Sequence, residues 1–467
     1  MNYRNRDWLC FVVMLALLVS LSAHSLVLPV LCLATTHAAA AVPEPYLLQR
    51  SILDPGTSPQ ISASHGFSVA VDGGRAVVGA PTDDLGGTDS GVVKVYDTAT
   101  GALLHLLLNP SPNASDQFGW SVSISGSRAV VGARFDDTIA ANAGIAYIYE
   151  LAGATPTVPL IILTNPSPAS GDQFGYAVSI SGTRVVVGTP FDDTGTNDAG
   201  AAYVFDLASP TPNLPVATLT NPVPTFTGGF GLSVSLSGTT VVIGANGDDT
   251  GADNAGSACV YDINSPTPDM PVYTLNNPSP EQNDQFGLSV AVSGTRVIVG
   301  AWLDDTGTTN SGSAYVYDLT SPTPTVPALT LNNPAPAVSD DFGRSVAISG
   351  TRIVVGAPLD NAVGSDTGTA YIYDLSSPTP TVPLLTLTNS TPAALDYFGF
   401  SVTIAGNWVV IGAYGDDAGA VNAGRAYIYN LTLLGGLEEW SVGFVGDFGG
   451  SAPEVSTTRA RLRLGRR

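Results

Sequence analysis

The chain is poor in the residues that enzymes use for chemistry and that small secreted domains use as staples. Of its 467 residues three are cysteine and four histidine, and lysine occurs once, at position 94. Cys10 and Cys32 sit in an apolar leading segment, so beyond it only Cys259 is left and no intramolecular disulfide can form there. Stability must then come from packing and backbone hydrogen bonds. Two of the histidines, His24 and His37, also lie in the leader; His65 and His105 are far apart, and His105 sits inside the apolar run "ALLHLLL". A nucleophile with a histidine base has no cluster to draw on. Positive charge is scarce as well: 17 Lys+Arg stand against 39 Asp+Glu, a formal net charge of −22. Taking away residues 1–41 removes two arginines and one aspartate and leaves −23. Arg459, Arg461, Arg463, Arg466 and Arg467 crowd into the last nine residues, so the body is more acidic than the total suggests. Such a balance argues against nucleic acid and anionic membrane surfaces as partners of the body and points to cations or basic surfaces.

Long apolar runs are confined to the start. Arg4 and Arg6 form a positive head, residues 9–21 an apolar core, and "THAAAA" at 36–41 a small-residue exit. This pattern predicts a signal peptide over residues 1–41, a secreted or cell-surface product, and no transmembrane anchor after cleavage. An uncleaved anchor is the alternative, although Ser22, His24, Ser25 and Pro29 interrupt the apolar stretch.

What the chain does have is repetition. The phrase "DQFGYAVSISGTRVVVGTP" at 172–190 recurs, aligned on Gly66, Gly119, Gly175, Gly231, Gly287, Gly343 and Gly399; the first step is 53 residues and the others 56. The copies share a Phe-Gly start (His65-Gly66 in the first), an alternating Ser-Val run, a turn like Ser-Gly-Thr-Arg, a run like Val-Val-Val-Gly-Ala, an acidic Gly-rich loop, an "AAYVFDL"-like run and a Pro-rich link. Period-two patterns bounded by Gly, Pro, Asn and Asp read as four short strands and no helix. Four antiparallel strands taken seven times give an all-β, seven-bladed β-propeller over residues 42–437. Copy seven lacks a fourth strand, and "PYLLQRSILDP" at 45–55 supplies one ahead of copy one, so the N-terminal segment is expected to close the ring by pairing with the last blade.

The order Phe-Gly, Val-Gly-Ala-Pro, then Gly-x-Ala-Tyr-Val-Tyr resembles the FG-GAP repeat of integrin alpha subunits and of many secreted bacterial proteins. The resemblance covers residues 45 to about 430. It implies an extracellular adhesion or binding propeller whose ligands meet the loops of one face. It also implies calcium sites, but the family places these on a long Asp-x-Asp-x-Asp-Gly turn between the first two strands. Here that turn is only Ser181-Gly182-Thr183-Arg184 or its equivalent, too short to wrap a metal, so those sites do not carry over.

The remaining carboxylates are the pairs between strands two and three: Asp83-Asp84, Asp136-Asp137, Asp192-Asp193, Asp248-Asp249, Asp304-Asp305, Asp360-Asn361 and Asp416-Asp417. Strand direction puts them on the same face as Asp116, Asp172, Asp284, Asp340 and Asp396, giving a ring of carboxylates. Two readings are open. Carboxylate and carbonyl oxygens are natural ligands for calcium or another hard cation; equally, Asp side chains cap turns through bonds to nearby amides, with Gly195 or Gly200 supplying an unusual backbone angle. Repetition in every blade favours capping. Cys259 stands where other copies have Tyr147, Tyr203, Tyr315, Tyr371 and Tyr427 and reads as buried filler; Lys94 takes that place in copy one.

Breaks in the repeat are better candidates for a ligand site. Arg134-Phe135, Asn246-Gly247, Trp302 and Tyr414 replace the Ala-Pro continuation on the acidic face, and aromatic and Arg side chains are typical of recognition surfaces. The reading is a non-catalytic module recognising an extracellular protein or glycan. The alternatives are an extracellular hydrolase or lyase using the carboxylates, and a structural envelope component. Residues 438–467, Gly-rich and then basic, are expected to be a disordered tail, with docking on the acidic disc or binding to an anionic surface as the alternatives. Asn113, Asn389 and Asn430 head glycosylation sequons, relevant in a eukaryotic secretory route.

Overall fold

The computed structural model describes residues 48–53, 60–194, 197–223, 228–417 and 419–432. The expected signal peptide and the tail at 438–467 lie outside the described residues, as does Gly195. Seven four-stranded antiparallel sheets make up the described chain, with no α-helix among the described residues. Blade five is representative: Ser289–Ser293, Arg296–Ala301, Ser313–Asp318 and Leu329–Asn332, in that spatial order. The first strands of successive blades pack side by side around a closed ring, blade seven against blade one included. In blade seven the sheet runs from Ser401–Ala405 through Trp408–Ala413 and Arg425–Asn430 to Leu48–Leu53.

The sequence phrase explains itself strand by strand. The second strand is β-branched and buried on both faces, as in Val297, Ile298 and Val299, all 0% exposed. Its hairpin partner is reached through a two-residue turn closed by the Ser293↔Arg296 pair, and Gly294 takes φ +60°, a left-handed angle that a side chain resists. The second-strand glycine is needed for another reason. A Cβ on Gly300 would run into the carbonyl oxygen of Gly343, the Phe-Gly glycine of the next blade, and Gly412 faces Gly66 in the same way where the ring closes.

Serines stitch the blades together. Ser289 Oγ donates to Gly343 O at 2.7 Å, and Ser401 Oγ donates to Gly66 O at 2.8 Å across the closure. Farther along the same strand, Ser293 Oγ accepts the amide of Gly350 at 3.0 Å. The Phe-Gly phenyl wedges between neighbours: Phe286 is fully buried among Val242, Val260 and Leu275 of blade four and Tyr315 and Tyr317 of blade five. Each blade thus buries its core against the next, and no blade is complete alone.

Candidate functional site

The loops after the second strand and those leading into the first strand share one face. The first aspartate of each pair is a buried turn cap. In blade five, Asp304 Oδ1 accepts the amide of Thr306 at 2.8 Å, while Oδ2 accepts the Tyr315 hydroxyl at 2.6 Å. Asp136, Asp192, Asp360 and Asp416 accept Tyr147, Tyr203, Tyr371 and Tyr427 in the same way. Where the tyrosine is missing, other donors take over: Ser257 reaches Asp248 at 2.9 Å beside buried Cys259, and Lys94 forms a buried ion pair with Asp83 at 3.4 Å. Burial pushes the Cys259 thiol up to about 11, which keeps it protonated and unreactive.

The second aspartate is exposed and caps a different amide, five residues on. Asp305 Oδ1 accepts the amide of Asn310 at 2.7 Å, a residue held at φ +53°. Asp84, Asp137, Asp193, Asp249 and Asp417 make the same bond, and in blade six the amide oxygen of Asn361 replaces the carboxylate at 2.8 Å. A neutral amide suffices there because the task is to accept one N–H.

Behind the first aspartates lies a second buried layer. Asn165 Nδ2 donates to Asp172 at 2.7 Å and to Asp192 at 3.0 Å, bridging two carboxylates, and Asn389 repeats this with Asp396 and Asp416. Burial, then the neighbouring Asp136, Asp192 and Asp304 charges, push Asp116, Asp172 and Asp284 up to about 6 against the amides that stabilise them. The ring of carboxylates expected on this face is therefore half interior; only the second aspartates meet solvent. Among the described residues no group of three or more His, Cys, Asp or Glu side chains is placed to hold a metal ion.

Around the axis of this face the repeat gives way to a single connected cluster of unlike residues. Phe67 packs on Trp120 with ring centres 4.4 Å apart and on Phe400 at 5.0 Å; Tyr414 sits against Phe400 at 4.5 Å and stacks on Tyr397 at 5.1 Å. Trp120 continues to Tyr176 at 5.5 Å. The Arg134 guanidinium lies 3.2 Å over the Trp120 ring and 4.2 Å from that of Phe135, with its Nε donating to Gln117 at 2.8 Å. Arg344 lies 4.3 Å over Trp302, whose Nε1 donates to Gln285 at 3.0 Å; Gln285 also accepts from Asn246 at 3.2 Å. All seven blades contribute.

The electrostatics of this cluster oppose those of the molecule. Desolvation lowers Arg134 to about 10, against the Tyr176 hydroxyl, which supports its charge. Burial raises Asp341, beside Arg344, to about 7. The Arg344 guanidinium thus faces a carboxylate raised to about 7, while Arg134 lies among aromatic rings, and both sit inside a rim of exposed aspartates. Gln117, Gln285, Asp341 and Tyr397, each preceding its Phe-Gly pair, hold φ between +52° and +58°. The strained backbone turns these side chains onto the cluster.

The structure joins every ligand-site residue expected from sequence, Arg134, Phe135, Asn246, Trp302 and Tyr414, into this one cluster. Sequence reasoning missed Phe67, Trp120, Tyr176, Arg344 and Phe400. Their signal was present: the position after each Phe-Gly varies as Phe, Trp, Tyr, Leu, Leu, Arg, Phe. Of the three sequons, Asn113 is exposed, whereas Asn389 is 3% exposed and committed to its aspartates.

A family model described as FG-GAP repeat matches residues 107–149, 162–205, 216–261, 278–317, 335–373 and 385–429, more than half of the chain. The chain belongs to that family. Each matched stretch begins at or close to one blade's outer strand and ends in the next blade's third strand. The unmatched copy is blade one, where His65 and Lys94 replace the usual Phe and Tyr. No curated protein matches the chain.

Proposed function

We propose that this FG-GAP repeat propeller is a secreted or cell-surface binding module that recognises an extracellular protein or glycan through the axial cluster. One observation carries the reading: a sevenfold repeat is broken by bulky and charged side chains at one place, where the blades converge on the axis. A structural need repeats in every blade, as the aspartate caps do; a ligand site needs unlike groups brought together once. Aromatic faces and arginine forks suit apolar side chains or sugar rings that bear a local acceptor. The rim of exposed aspartates disfavours polyanions and leaves room for a neutral or basic surround.

A non-catalytic role is part of the reading. The carboxylates that a hydrolase or lyase would use recur in blade after blade and are occupied by amide or hydroxyl donors, and the first of each pair is buried. Among the described residues no helix is long and apolar enough to cross a membrane.

The test is binding of the full chain to arrays of extracellular-matrix proteins and glycans, repeated with Arg134→Ala and Trp302→Ala. The expected result is a ligand whose affinity falls about tenfold or more in either variant, a hot-spot loss, with the melting temperature unchanged. A ligand bound equally by both variants sinks the assignment to the axis. Turnover of a glycan would hand the site to the enzymatic reading.

A further inference from the structure

Propellers must keep their outer strands from pairing with other chains. In blades two to six the outer strand is four residues long, and Pro159, Pro215, Pro271, Pro327 or Pro383 stands two residues before it. In blades three to six its second residue is an exposed threonine: Thr218, Thr274, Thr330 and Thr386. The outer strand of blade seven carries Arg50. Blade one has none of these devices. Its outer strand, Leu103–Leu108, is six residues long and reads LLHLLL; no proline precedes it, and Leu103, Leu104 and Leu108 are 41%, 41% and 44% exposed.

The surface beside this strand is shaped to receive something. Blade two exposes Val158, Leu160 and Ile162 next to it. Two depressions lie along the seam, one of about 340 Å³ floored by Leu106, Leu108 and Val158, the other of about 280 Å³ lined by Glu150 and Leu160. An open strand edge with apolar ground at its flank is the geometry of strand addition.

We propose that the occupant is the chain's own segment 459–464, RARLRL, added as a fifth strand to blade one. The segment alternates strictly, with Ala460, Leu462 and Leu464 on one side and Arg459, Arg461 and Arg463 on the other. The first set suits the leucine and valine ground, and the second suits Glu150 and the acidic body. Geometry permits it. Described structure ends at Thr432 in blade seven, the neighbour of blade one, and the 26 residues between reach up to about 85 Å when extended.

Amide hydrogen exchange on the full chain tests this, with Leu462→Asp/Leu464→Asp as the variant, each protein run at two concentrations. Neither position contributes to the described core, so the variant folds. The expected result is outward amides of Leu103–Leu108 exchanging about tenfold or more slowly in the parent than in the variant, independent of concentration. The outer strand of blade three, Ala217–Thr220, should exchange alike in both. Equal exchange at Leu103–Leu108 overturns the proposal. Protection that grows with concentration overturns it too and assigns the edge to a second copy.

Discussion

The Tyr315 hydroxyl donates to Asp304 Oδ2 across 2.6 Å, eleven residues back along the chain and inside a single blade. The bond locks the acidic loop onto the third strand, and its fourfold recurrence elsewhere makes it part of the fold's grammar. Replacing Tyr315 by Phe leaves the buried carboxylate short of a donor. The expected cost is about 1–3 kcal/mol in urea unfolding. Asp305→Asn is expected to be silent within about 0.5 kcal/mol, because Asn361 already performs that task in blade six. A large loss from Asp305→Asn would show that its charge, and not its acceptor oxygen, is what the loop requires.

The same geometry bears on calcium. Both aspartates of each pair already accept amide hydrogens, so the melting temperature is expected to be the same in millimolar calcium and in chelator. A clear rise with calcium, lost in Asp305→Asn, would mean that the exposed aspartates are ligands and that adhesion is cation-dependent.

Asp116, Asp172 and Asp284 make stability depend on pH in an unusual direction. Their folded-state values, about 6, lie above the ordinary carboxylate range, so between about pH 4 and 6 the folded protein holds more protons than the unfolded chain. Their stabilising contribution is therefore full below that window and is lost as pH rises through it. Asp97 and Asp318 act oppositely but lower down, because Thr100 and Thr320 depress them below their ordinary value. The melting temperature is expected to rise from pH 7.5 to pH 5 and to fall again below pH 4. A steady fall from pH 7.5 to 5 would show that these carboxyls stay ionised in the fold.

Much of this was legible in the sequence because seven in-phase copies average out accident. Phe-Gly, the serines and the second-strand glycine recur because each contacts the next blade, and the one copy with Ala177 in place of the first serine lacks that bond to the following glycine. The burial of Asp136 and its equivalents was not legible, since a turn-capping carboxylate and an exposed one look alike until the tyrosine eleven residues on is seen to fold over it. Of the axial cluster, only the loop members Arg134, Phe135, Asn246, Trp302 and Tyr414 stood out. Phe67, Trp120 and Arg344 read as ordinary strand starts, and only ring closure brings residues from blades one, two and six to the same axis.

Phe286 tests whether the wedge between blades carries the stability assigned to it. The ring is fully buried and edge-on to Tyr317, with centres 6.4 Å apart, and it touches blades four and five at once. Phe286→Ala is expected to cost about 3–5 kcal/mol, since neighbouring blades held by serine bonds have little freedom to collapse onto the void. A loss below about 1 kcal/mol would mean that the seam relaxes and the ring is not rigid.

The segment that pairs with the last blade offers the final test. Leu48–Leu53 lies antiparallel to Arg425–Asn430, with Ser51 opposite Tyr427 and Leu53 opposite Arg425. The inner ring closes independently through the Ser401 bond to Gly66 and the approach of Gly412 to that same glycine. Deleting residues 46–53 should leave this inner closure in place but open the edge of Arg425–Asn430 to solvent and to other chains. The expected result is a folded protein that melts several degrees lower and aggregates with increasing concentration. A truncated chain that melts like the full one and stays monomeric would mean that the first strands alone hold the ring, and that the N-terminal strand is dispensable to closure.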